Sequence, residues 1–185
     1  MNIDEAVTFF QEFLTAVYEQ DVANLAEPDD QLEQRVARTE SFMYSSPGTS
    51  MTSPFMRPRG LPAEELAEIA EKASTPVRRP LYLVVEYDVP GWGTCFAADV
   101  GGGKETNYIA YAYQYRAMEV DGEPKIVAQY GIDFYAEGLA WENIAGAVLE
   151  PTGDPVAVRA LEEPRVPRDR DGYQRIVASV PQDGA

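Results

Sequence analysis

The chain has 185 residues, 45% of them apolar and 11% aromatic, and its 31 acidic against 15 basic residues give a formal net charge of −16. A globular composition of this length builds one domain and buries about 70% of its unfolded surface without staples. The charge repels nucleic acid and anionic membranes, so neither is an expected partner. It draws basic proteins, and it serves solubility equally well.

There is no histidine, which excludes Ser–His and Cys–His nucleophiles and histidine metal sites. Cys95 is the single cysteine, so no intramolecular disulfide forms, in keeping with a reducing cytoplasm. The first residues, MNIDEAVTFFQEF, carry no basic stretch and are interrupted by Asp4, Glu5 and Glu12, which is not a signal peptide. No apolar run approaches the ~20 residues of a membrane span.

In chain order, Ile3, Ala6, Val7, Phe10, Phe13, Leu14 and Val17 recur on one face of a helix over 3–19, with Asn2 as cap and Glu5 three residues on. Residues 20–40 read as two short helical pieces separated by Pro28, with Asp21 and Asp30 as caps. Residues 41–60 are a Ser-, Pro- and Gly-rich loop that nevertheless carries Phe42, Tyr44, Phe55 and three methionines. A loop of that length is either a plain connector or a functional segment, a lid or a partner-binding loop with aromatic anchors. Residues 62–74 form a second amphipathic helix with Leu66, Ile69, Ala70 and Ala73 on one face.

The period then changes. Residues 80–89 are a strand, with Leu81, Leu83, Val85 and Tyr87 on one face and Tyr82, Val84, Glu86 and Asp88 on the other. Pro90-Gly91 marks a turn that bears Trp92, and 94–100 is a shorter strand. Gly101-Gly102-Gly103-Lys104 is not a phosphate loop, because Glu105 stands where Ser or Thr is required and the upstream glycine is missing. Residues 106–120 and 123–135 form a long hairpin on Asp121-Gly122, a pair suited to a two-residue type I′ turn. That turn sets a register pairing Tyr115 with Ala128, Tyr113 with Tyr130 and Arg116 with Val127. One face then carries Tyr111, Tyr113, Tyr115, Tyr130 and Phe134 as an aromatic wall, and Asp133 falls on the mixed face. Residues 139–149 read as either a helix or a strand. Residues 1–150 form the domain, and 151–185 are a Pro- and Arg-containing tail with one edge strand at 173–180.

The remaining chemistry is acid–base work by Asp, Glu and Tyr, for which Glu86, Asp88, Asp99 and Asp133 are the carboxyl candidates. Glu86 and Asp88, two apart on one strand face, fit a solvated acidic surface better than a catalytic pair. No catalytic set, cofactor site or metal site is assigned.

The order of elements, with FFQEFLTAVYEQDVANLAE at the start and NYIAYAYQYRAMEVDGEPKIVAQYGIDFY at the end, resembles the nuclear transport factor two-like (ketosteroid isomerase-like, SnoaL-like) superfamily over residues 3–135. The resemblance implies an α+β fold, a curved antiparallel sheet with N-terminal helices on its concave face. It also implies two kinds of function: small-molecule enzymes, and binding proteins that include toxin-neutralising immunity proteins. The expected function is accordingly a non-catalytic, cytoplasmic, acidic binding protein, an immunity protein against a basic bacterial toxin. Phe42, Tyr44, Phe55, Glu86, Asp88 and Trp92 are its expected partner-binding residues. The alternative is a cavity enzyme or carrier using Asp and Tyr, recognisable by a pocket between the sheet and the first helix that holds a buried carboxyl. A third reading is a homodimer through the sheet's outer face.

Overall fold

A computed structural model describes residues 1–44, 60–72, 76, 78–101, 113–131, 139–141 and 155–161. It is an α+β fold, three N-terminal helices followed by an open antiparallel sheet. The helices are α1 (Ile3–Ala26), α2 (Asp29–Ser41) and α3 (Ala63–Lys72). The strands are β1 (Leu81–Val89), β2 (Gly93–Val100), β3 (Tyr113–Val120), β4 (Glu123–Gly131), β5 (Leu139–Trp141) and β6 (Ala157–Ala160), in the order β5-β4-β3-β2-β1-β6. Among the described residues no helix is long and apolar enough to cross a membrane.

The start of α1 follows from its first residues. The Asn2 carboxamide oxygen accepts from the backbone N–H groups of Asp4 and Glu5, each at 3.0 Å, and the Glu5 carboxylate accepts from the Asn2 N–H at 2.7 Å. This reciprocal box satisfies donors that the first helical turn would otherwise leave open. The helix does not stop near residue 19. It runs on to Ala26, because Ala23 is fully buried with Leu32 and Val36 of α2, and Asp21 pairs with Arg79 at 3.7 Å. Asp21 is therefore interior to α1 and caps nothing. Asp30 is likewise no cap: Pro28 stands at the N-cap of α2, its carbonyl accepting from Gln31 and Leu32. The predicted two short pieces are thus the end of α1 and one continuous α2.

The face of α1 that carries Ala6, Phe9, Phe10, Phe13 and Leu14 lies on Leu81 and Val84 of β1, Phe96, Ala98 and Val100 of β2, Tyr115 and Ala117 of β3, and Ile126 of β4. Phe13 meets Tyr115 edge-on at 5.0 Å between ring centroids. Of the predicted apolar face of α3, Leu66, Ile69 and Ala70 are half-buried and no residue of that helix is fully buried.

The hairpin turn is as expected. Asp121 and Gly122 both have positive φ, 54° and 83°, as a type I′ turn requires. The expected register holds from Val120↔Glu123 to Ala117↔Ile126 and then shifts by one, so that Arg116 pairs with Ala128, Tyr115 with Gln129, Gln114 with Tyr130 and Tyr113 with Gly131. Val127 is the extra residue of a bulge, which corrects the pairings of Tyr115, Tyr113 and Arg116. A second bulge lies between Leu81 and Leu83. It puts Leu81 with Val84 on the α1 side, while Tyr82, Leu83 and Val85 pack with Val158 of β6 on the opposite side. The expected alternation in β1 therefore breaks at its first residue. Both faces of its first half, residues 81–85, are buried, which is why that half reads as an unbroken apolar run.

Residues 139–141 are strand, paired with β4. An edge strand also comes from the C-terminal stretch, but at Ala157–Ala160 against β1. The region expected to supply it, 173–180, lies outside the described residues, as do Tyr111, Asp133, Phe134 and most of the 41–60 loop. On the sheet's outer face Leu83, Val85 and Ala97 are each under 5% exposed.

Candidate functional site

The β1–β2 and β3–β4 turns leave the sheet at the same end, since β1 pairs antiparallel with β2 and β2 with β3. Pro90 and Gly91 form the first turn. The Trp92 N–H donates to the Val89 carbonyl at 3.0 Å and Gly91 takes φ 80°, the backbone of a type II turn with proline first and glycine second. Trp92 is 40% exposed, one of the few large apolar side chains in solvent among the described residues. The same end of the sheet carries exposed carboxylates. Asp88 is exposed at the end of β1, and Glu119, Asp121 and Glu123 are exposed along the β3–β4 turn. Glu5 of α1 comes to this end as well, its carboxylate 4.0 Å from the Met1 amine that bonds Glu119. Two cations at this end are already engaged: the Met1 α-amino group donates to Glu119, and Lys125 pairs with Glu123 at 2.9 Å. Arg159, opposite Val84 in the middle of β1, pairs with Asp4 at 3.0 Å. The hydrogen bond to Glu119 is the main cause that raises the pKa of the Met1 amine. Among the described residues Asp88 and Asp121 have no such partner.

The six expected partner-binding residues separate into groups. Trp92 and Asp88 are exposed together at this end. Glu86 is half-buried on the α1 side of the sheet, opposite Phe96. Phe42 and Tyr44 serve the fold. Phe42 packs on Phe9 and Phe13 at 5.6 and 5.9 Å, and Tyr44 packs against the cluster of Val89, Cys95, Met118, Val127 and Ala128 on the other side. The backbone joins them to β4: the Ile126 N–H donates to the Phe42 carbonyl, and the Tyr44 N–H donates to the Ile126 carbonyl. The chain leaving α2 is thereby clamped to the sheet, with one aromatic on each face. Phe55 lies outside the described residues.

A second polar group lies on the outer face. The Gln114 side-chain N–H donates to the Asp99 carboxylate at 2.9 Å, and an Arg116 N–H reaches the Gln114 carbonyl oxygen at 3.4 Å. Burial pushes the Asp99 carboxyl above its ordinary range; the Gln114 bond and the Arg116 charge oppose this without cancelling it. Burial likewise raises Tyr87, with Asp99 adding to the effect, and drives the Cys95 thiol up to about 11. A thiol so placed is not a nucleophile at neutral pH. Sequence reasoning named Asp99 but not its partners. The signal was there in the register of adjacent strands, which sets Asp99 directly opposite Gln114.

The space between α1 and the sheet is occupied by Phe10, Phe13, Phe96 and Ile126, each 2% exposed or less, and Asp99 is on the opposite face from that packing. Among the described residues no cluster of three or more Asp, Glu or Cys is placed to hold a metal. The fold and its exposed features thus define an open α+β sheet with an acidic, tryptophan-tipped end. A comparison with protein-family models, curated proteins and solved structures finds no match.

Proposed function

We propose that the chain is a non-catalytic acidic binding protein that takes a basic protein partner at the end of the sheet bearing Trp92. The observation that carries this reading is the coincidence of an exposed tryptophan with Asp88, Glu119, Asp121 and Glu123 in a chain of net charge −16. A tryptophan rimmed by charge is the composition of an interface anchor: the ring supplies area to desolvate, and the carboxylates steer and orient a cationic surface. The superfamily resemblance suggests the partner's class, a basic bacterial toxin domain, which makes the chain an immunity protein. A cytoplasmic location belongs to the same reading, and a single buried cysteine is compatible with it.

One observation supports a second reading, a small-molecule enzyme or carrier of isomerase or cyclase type. Asp99 is a half-buried carboxyl within electrostatic reach of Tyr87. The filled contact between α1 and the sheet supports the first reading over this one.

The test is affinity capture from the native host on tagged chain at low salt, with mass spectrometry of what is bound. A basic protein held in stoichiometric amount, released by salt and lost from a Trp92→Ala, Asp88→Asn double variant is the expected result. Retention by that variant, or binding indifferent to salt, overturns the reading.

A further inference from the structure

The middle of α1 and the chain entering β1 enclose a groove of about 480 Å³, within the size range of small-molecule sites. Its apolar surface comes from Leu14 of α1, Pro80 and Leu81, with Leu161 beyond β6 as a wall. Its polar rim is cationic, made by Arg78 and Arg79 beside Tyr18. In so acidic a chain this is an unusual local balance, and the two arginines are not equivalent. Arg79 pairs with Asp21 at 3.7 Å. Arg78 lies over the Tyr18 ring, its guanidinium carbon 4.7 Å from the centroid. Every other described lysine and arginine is in an ion pair, apart from Arg116, which bonds Gln114 beside Asp99. Arg78 alone has a ring and no carboxylate among the described residues.

We propose that this groove binds a small organic monoanion, a carboxylate on a flat or aliphatic apolar body. The body lies on Leu14, Pro80 and Leu81, and the carboxylate takes the edge of Arg78. The ring contact engages the guanidinium through its charge and not through its N–H groups, and a guanidinium edge can receive a carboxylate through two parallel hydrogen bonds. With Arg79 shared by Asp21, the net charge offered is that of one arginine. That matches a monoanion rather than a phosphate dianion. The site is separate from the Trp92 surface, and the inference does not depend on the partner proposed there.

The experiment is a titration of the full-length ¹⁵N-labelled chain with 2-naphthoate, with neutral 2-naphthamide as the control ligand. Arg78 is exposed, so Arg78→Ala is expected to leave the fold intact, which the amide spectrum itself verifies. Naphthoate in the millimolar range shifts the amides of Thr15, Tyr18 and Leu81. Naphthamide, and naphthoate on the Arg78→Ala variant, each bind about tenfold more weakly, the loss of one charge-assisted contact. No shift at those amides, equal binding of the amide ligand, an unchanged affinity in the variant, or inorganic phosphate binding as tightly as naphthoate overturns the assignment.

Discussion

Replacing Phe13 by alanine tests whether α1 is seated on the sheet as described. Phe13 is 2% exposed and touches two rings, Tyr115 edge-on at 5.0 Å and Phe42 at 5.9 Å. Full burial of a phenylalanine contributes about 2–3 kcal/mol, and the aromatic contacts add about 1 kcal/mol. With the cavity left behind, the expected cost is about 4 kcal/mol, inside the range for such truncations. Against a total stability of roughly 5–15 kcal/mol this is a large fraction. A chain of this size has a urea slope of about 2 kcal/mol per molar, so the midpoint falls by about 2 M. The assay is equilibrium urea unfolding followed by far-ultraviolet circular dichroism. Trp92→Ala serves as the exposed control and moves the midpoint by no more than about 0.5 kcal/mol in equivalent stability. A cost below about 1 kcal/mol for Phe13→Ala would mean that the helix does not rest on β3 in solution, and the description of the core would be wrong.

Three further outcomes are expected. Asp99 has its folded-state pKa above the ordinary 3.8, so the folded chain holds that proton more tightly than the unfolded one, and stability falls as pH rises from 3.8 through the raised value. Asp99→Asn keeps an oxygen for Gln114 but removes this loss: its stability relative to the parent is higher at neutral pH, and the difference shrinks in acid. A pH-independent difference in urea unfolding refutes that reasoning. Gly122→Ala places a side chain at φ 83° and costs about 1–2 kcal/mol in the same assay; a neutral result would argue against the type I′ turn. Cys95, buried and with its thiol at about 11, reacts with a disulfide reagent at neutral pH only as fast as the chain opens, so its rate tracks added urea. Rapid stoichiometric labelling of the native chain would contradict its burial.

Local chemistry was legible wherever the sequence alone closes the hydrogen bonds. Asn2 with Glu5, and Asp121 with Gly122, carry their structures in the identity of two residues. The mixed α+β order followed from the change of period after residue 80. What could not be read depends on neighbours distant in sequence. α1 continues past Asp21 because α2 covers Ala23, and propensity around residue 20 says nothing of that. The bulge at Val127 lies where the segment leaving α2 hydrogen-bonds to Ile126, a contact made across more than eighty residues. Phe42 and Tyr44 were legible as aromatics of a polar loop, but not their packing on opposite faces of the sheet, which that contact sets. Trp92 was legible as a turn aromatic, while the arginine groove was not, since Arg78 and Arg79 sit in a connector with no periodic pattern.

The pairing of β6 with β1 bears on the order in which the chain can finish folding. β1 is apolar on both faces over residues 81–85, and one of its two edges is completed by β2 almost at once in synthesis. The other edge waits for residues 157–160, which follow only after the whole β3–β4 hairpin and β5 have been made. Until then LYLVVEYDV offers a bare row of backbone donors and acceptors beside apolar side chains, the kind of edge that recruits a second strand from another molecule. Any shortening of the chain before residue 155 would make that interval permanent. A stretch that its prolines and arginines mark as a tail thus covers, at Ala157–Ala160, the edge of β1 most open to another strand.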